Sequence, residues 1–178
     1  MICDKASPSR LDLYEQCPLR YYAMYELKMR GHGSSATKFG LLFHGAAENY
    51  YDPELDLTEE QAWEKAKKEN DCDDFQDFQD VKRLFFGETK KYPKAMTDTI
   101  AVEQSFDFEI DNGVVIRGFI DRVDKFDEKS IGINDYKTGN WVPSSEEVEL
   151  SHQSNMYPLW VFESGKYGKP EGVFFDYH

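Results

Sequence analysis

Three consecutive runs rich in β-branched and aromatic residues, at positions 100–110, 114–126 and 130–136, constrain this chain more than any other feature. Asp111-Asn112-Gly113 separates the first two runs and Asp127-Glu128-Lys129 the second two. Asn-Gly tolerates the positive φ angles of a tight hairpin, so the three runs read as an antiparallel meander. The residues before position 100 have helical spacing instead. Ser7 caps a first helix that Pro8 opens, and Leu11, Tyr14 and Cys17 share one of its faces. Cys17-Pro18 ends that helix and begins a second, carrying Tyr21, Tyr22 and Tyr25. Residues 31–35 read as a loop and 39–51 as an amphipathic helix stopped by Asp52-Pro53. Thr58-Glu59-Glu60-Gln61 is a capping box, and 81–91 reads as a further helix. Beyond the meander, 146–163 is expected to be one helix kinked at Pro158, and 172–177 a last strand. The expected fold is α/β: a mixed sheet, the meander plus a further strand, flanked by helices and covered by a helical N-terminus. The 178 residues fit one domain, with 48–95 as an acidic helical insertion.

A net charge of −13, taken whole, argues against a nucleic-acid partner. The distribution weakens that objection. Residues 48–80 hold 13 acidic and 3 basic side chains, whereas residues 1–47 are net +2 and residues 81–120 balance. The acidic stretch is a candidate protein-partner surface, and the remainder is free to present a basic face. No run approaches the ~18 apolar residues that a membrane span needs. The polar first ten residues carry no secretory signal pattern. Cys3, Cys17 and Cys72 are odd in number and contain no CxxC pair, which excludes a disulfide framework and a self-contained zinc site. The expected location is a reducing cytoplasm.

The informative string is Gly118-Phe119-Ile120-Asp121, followed by Asn134-Asp135-Tyr136-Lys137-Thr138-Gly139. Residues two apart on a strand share a face, so Asp135 and Lys137 point the same way. The short turn between the strands brings Asp121 beside them. Two converging carboxylates repel, and a divalent cation relieves the repulsion; hard oxygen ligands favour Mg²⁺ or Mn²⁺ over zinc. A lysine beside such a cation can orient or deprotonate a water, or stabilise charge on a phosphate. This is equipment for phosphodiester hydrolysis.

Six elements in order carry a resemblance: Ser7-x-Ser9-x-Leu11-x-x-Tyr14-x-x-Cys17-Pro18-x-x-Tyr21, Gly40-x-x-x-His44, Glu103-x-x-Phe106, Gly118-x-x-Asp121, Asp135-Tyr136-Lys137-Thr138-Gly139 and Gln153-x-x-x-Tyr157. Together they resemble the RecB-like branch of the PD-(D/E)xK nucleases, including CRISPR-associated exonucleases with an iron–sulfur cluster. Asn134 stands where the motif name has proline. The resemblance implies a restriction-endonuclease-like fold and an exonuclease preferring single-stranded DNA, in repair, recombination or CRISPR-type processing. It implies that His44, Asp121, Asp135 and the Tyr136 carbonyl bind the metal, that Lys137 serves the attacking water, and that Gln153 and Tyr157 position the scissile strand. Glu103 is a candidate auxiliary ligand. Arg10, Arg20 and Tyr21 are candidate substrate contacts, two for phosphates and one for a base. Cluster-bearing relatives pair an N-terminal cysteine, here Cys17, with three near the C-terminus. No cysteine follows Cys72, so no iron–sulfur cluster is expected, and the chain reads as a short form or a fragment. The competing reading is an inactive nuclease-fold module that binds DNA or protein.

Overall fold

A computed structural model describes residues 5–29, 35–71, 78–110, 113–139 and 141–178. The first element is a two-residue strand, β1 (Lys5–Ala6), too short to show any periodicity. Helices α1 (Pro8–Gln16) and α2 (Pro18–Tyr21) follow, the latter running into a π-helical turn, Tyr22–Glu26. Ser7 caps α1 by accepting the Arg10 N–H at 3.3 Å, and Pro18 costs nothing at the start of α2, where its missing N–H would have no partner. Helix α3 (Ser35–Tyr51) begins four residues earlier than its apolar spacing suggests. Helix α4 (Glu59–Glu69) opens with the expected Thr58–Gln61 capping box, and α5 (Phe78–Lys91) precedes the sheet.

The meander forms as β2 (Thr99–Ile110), β3 (Val114–Lys125) and β4 (Ser130–Lys137), antiparallel in sequence order. Asp111 and Asn112 of the expected turn lie outside the described residues, as do residues 31–34 of the expected loop; Gly113 has the positive φ, 77°, that the turn chemistry requires. After β4 the chain crosses over through α6 (Ser145–Glu149) and α7 (His152–Ser164) to β5 (Lys169–Tyr177), which runs parallel to β4. β1 runs parallel to β3 at Val115 and Ile116, so among the described residues the mixed sheet has five strands.

The expected single helix over 146–163 is corrected. The break falls at Leu150–Ser151, while Pro158 sits inside α7. The physical reason is capping. Ser151 accepts the Ser154 N–H at 3.2 Å and thereby starts a new helix, whereas a proline removes only one intrahelical bond.

The sheet is covered on both faces. Against one lie α3, α4 and α5, with Leu42, Phe43, Trp63, Phe85 and the ring of Tyr136 in their cluster. Against the other lies α7, with Phe106, Ile120, Ile133, Tyr157 and Trp160. The acidic stretch is thus two-faced. Trp63 and Phe85 are wholly buried and stacked with centroids 6.0 Å apart, each contributing about 1.5–3 kcal/mol of burial. Among the described residues, no helix is long and apolar enough to cross a membrane.

Candidate active site

Antiparallel pairing of β3 with β4 sets Arg122 opposite Asn134 and so brings Asp121 level with the end of β4. The Tyr136 N–H donates to Asp121 Oδ2 at 2.7 Å. Asp135 and Lys137 share a face of β4, as period-two geometry requires, and Lys137 Nζ lies 2.5 Å from Asp135 Oδ2. Helix α7 reaches the same point. Tyr157 Oη donates to Asp135 Oδ1 at 3.0 Å, Gln153 Nε2 donates to the same oxygen at 3.2 Å, and Lys137 Nζ donates to Gln153 Oε1 at 2.6 Å. Asp135 is buried. Desolvation, then the neighbouring charge of Asp121, raise its pKa against the pull of Lys137.

Glu103 arrives through a break in strand alternation. Ile120 and Val123 of β3 belong to one core cluster although they stand three positions apart, an odd spacing that regular alternation would send to opposite faces. On β2, Gln104 accepts the Tyr167 hydroxyl proton at 2.5 Å on the α7 side, whereas Val102 packs on the α3 side. The inflection falls at Glu103 and Asp121, between the paired rungs Val102–Arg122 and Gln104–Ile120. Glu103 absorbs it with a φ of +42°, a left-handed conformation that costs a non-glycine residue about 1–3 kcal/mol and clusters at functional sites. Its carboxylate joins Asp121 and His44, which α3 supplies. Ligand atoms of the three lie within 4.8 Å of one another, and His44 Nδ1 is 3.4 Å from Asp121 Oδ2. Burial, followed by the charges of Asp121 and Glu48, pushes the Glu103 carboxyl up to about 7. Burial disfavours the His44 imidazolium, but the hydrogen bond and charge of Asp121, with Asp135 and Glu103 beyond, outweigh it and raise its pKa. Carboxylates that repel at this range, with an imidazole nitrogen among them, suit a hard divalent cation.

His44, Asp121, Asp135, Lys137, Gln153 and Tyr157 line a cleft of about 1090 Å³. Arg10 lines it too, with its guanidinium 4.5 Å above the Tyr25 ring. Arg20 and Tyr21 do not. Arg20 is exposed on α2, and Tyr21 packs edge-on to Tyr14 at 5.4 Å and against Tyr25 at 5.3 Å. Among the cleft residues that the sequence did not mark as site residues are Arg117, Phe119 and Trp141. The strand alternation that aims Phe119 at the cleft was visible in the sequence; the loop that brings Trp141 there was not.

Behind the sheet a second polar cluster supports the first. The buried Arg122 guanidinium donates to Tyr136 Oη at 2.5 Å and to Asp124 Oδ2 at 3.1 Å, and lies 4.1 Å from the Tyr51 ring centre. Asp124 also accepts from Asn134 and Thr99, so it is an internal partner of Arg122. Glu88 sits 4.0 Å from Arg122 and 3.8 Å from His178 Nε2; burial, then the charge of Asp176, raises it to about 7.

Two motif glycines have steric reasons. A Cβ at Gly118 would stand 2.7 Å from the Phe106 ring, and one at Gly40 would stand 3.1 Å from Thr138 Oγ1. Residues 5–176 match the family model of the PD-(D/E)XK nuclease superfamily, and the chain belongs to that superfamily. Its fold is the restriction-endonuclease-like α/β sheet, and its class is that of the metal-dependent nucleases. A search of curated proteins found no significant match.

Proposed function

We propose that this chain is a RecB-like deoxyribonuclease acting as one domain, an exonuclease that prefers single-stranded DNA and uses Mg²⁺ or Mn²⁺. The observation that supports it most is the meeting of Asp121, Asp135 and Lys137 at one point, with His44 and Glu103 beside them. His44, Glu103 and Asp121 would hold the cation, with Asp135 and the Tyr136 carbonyl adjoining, and the imidazole would tilt the choice toward Mn²⁺. When bound, the cation supplies Lewis acidity and lowers the pKa of a coordinated water. The residues do the rest. An ammonium has three N–H donors, and Asp135 and Gln153 occupy two of those on Lys137. The third is left for the attacking water or a phosphate oxygen. Tyr157 and Gln153 act on the scissile strand through Asp135 and Lys137, whose orientation they fix. Arg10, at the cleft wall, is placed to meet a phosphate.

The test is digestion of end-labelled single-stranded DNA in Mn²⁺ by wild type, Asp135→Ala and Lys137→Ala. Loss of product in both variants is expected, and equal activity in all three proteins removes the mechanism. A circular single strand separates exonuclease from endonuclease action, since only the latter linearises it.

A further inference from the structure

The geometry points to a subsite for the nucleotides flanking the scissile phosphate, laid along β3, with Phe119 and Trp141 as platforms for unpaired bases and Arg117 as a phosphate contact. The inference rests on the nuclease reading above and adds residues that neither the motifs nor the family assigns.

Phe119 and Arg117 lie two and four residues before Asp121 on the same strand, about 7 and 13 Å away at ~3.3 Å per residue. The ladder sets Phe119 opposite Ser105 and Arg117 opposite Asp107, and all four line the cleft that holds the carboxylates. Ile116 and Ile120, which alternate with them, are buried in the core beneath. Phe119 is 59% exposed and Trp141 65%, although each carries a ring that would ordinarily contribute to a core. Single exposed aromatics are common and mean little. Here two of them wall the same cavity as Asp121, Asp135 and Lys137, where a polyanion would have to lie.

The chemistry fits an unstacked strand. A base offers its face to a ring only when it is not stacked in a duplex, and each such contact is worth a measurable part of the affinity whatever the base. Arg117, two residues beyond the ring, is spaced to take a phosphate on the far side of the stacked nucleotide. Because the protein is acidic as a whole, with a net charge of −13, ring stacking supplies binding that bulk electrostatics does not.

The experiment titrates the full chain, in Ca²⁺ at low salt, with an oligothymidylate decamer and with a decamer of the same backbone lacking bases. Decamer length is checked afterwards on a gel. Trp63 and Trp160 are buried, so quenching of the exposed Trp141 fluorescence reports occupancy directly, and anisotropy of a labelled decamer serves the Trp141 variant. Wild type should prefer the base-bearing decamer about tenfold, and Phe119→Ser and Trp141→Ser should each erase most of that preference. Arg117→Gln should weaken both decamers alike and lower the salt dependence by about 0.7, the loss of one phosphate contact to a single strand. Equal binding of the two decamers by wild type, or variants that keep the full preference, overturns the subsite. Digestion by the same wild-type preparation in Mn²⁺ is scored separately. A protein that cuts DNA but shows no base preference loses the subsite alone, while one that never cuts loses the nuclease reading.

Discussion

Gln153 Oε1 accepts the Lys137 ammonium at 2.6 Å, which ties the one cation of the motif to a helix that follows it in sequence. The same side chain donates to Asp135 Oδ1 at 3.2 Å and to Tyr157 Oη at 2.8 Å. Gln153→Ala therefore frees Lys137 and Asp135 together. Misplacement of a catalytic group by about 1 Å costs on the order of 100-fold, so kcat should fall by ~10–100-fold while KM for DNA moves little. A rise in KM at unchanged kcat would instead make Gln153 a direct substrate contact. Steady-state digestion kinetics distinguish the two.

Glu103 pairs function with strain. At φ +42° it should be more stable as glycine, so Glu103→Gly is expected to raise the melting temperature, relieving on the order of 1 kcal/mol. The same change removes one of the three converging ligands and should weaken Mn²⁺ binding at least tenfold by calorimetry. Glu103→Gln should lose the affinity without gaining the stability. A glycine variant that melts lower and binds Mn²⁺ as wild type does would refute both halves.

Glu88 makes stability depend on pH. Its carboxyl sits at about 7 in the folded chain against an ordinary 4.5, because burial penalises the charge. Between those values the folded state holds more protons than the unfolded one, so stability falls as pH rises from 4.5 toward 7 and stays low above. The loss is on the order of 3 kcal/mol at most. Glu88→Gln cannot ionise. In urea unfolding its stability relative to wild type should climb between pH 5 and pH 8.5, and a constant difference across that range would count against the buried-charge account.

Gly118→Ala should destabilise the chain by about 1–3 kcal/mol, because the new methyl meets the Phe106 ring at 2.7 Å. That ring is held between Tyr157 at 5.6 Å and Trp160 at 5.5 Å, so it has little room to retreat. Thermal melts of Gly118→Ala and of Gly118→Ala with Phe106→Leu check this, the smaller side chain recovering part of the loss.

Much of the fold was legible because local physics decides it. The Ser7 and Thr58 caps, the three β-rich runs and the apolar stripe of α3 each state their conformation within a dozen residues. Asp135 and Lys137 were legible together for the same reason, since two-residue spacing on a strand leaves them no other arrangement. Asp121 followed from the short turn to β4. Tertiary structure decided the rest. Glu103 was a candidate ligand from the sequence, but it stands beside Asp121 and His44 only because its left-handed backbone breaks strand alternation opposite Asp121, and no pattern in the sequence announces that break. Arg20 and Tyr21 read as substrate contacts yet do not line the cleft, while Arg117, Phe119 and Trp141 were not read as site residues and line it. The division has one cause. Backbone geometry over a few residues is encoded where those residues stand, whereas which side chains share a cavity depends on how distant elements pack.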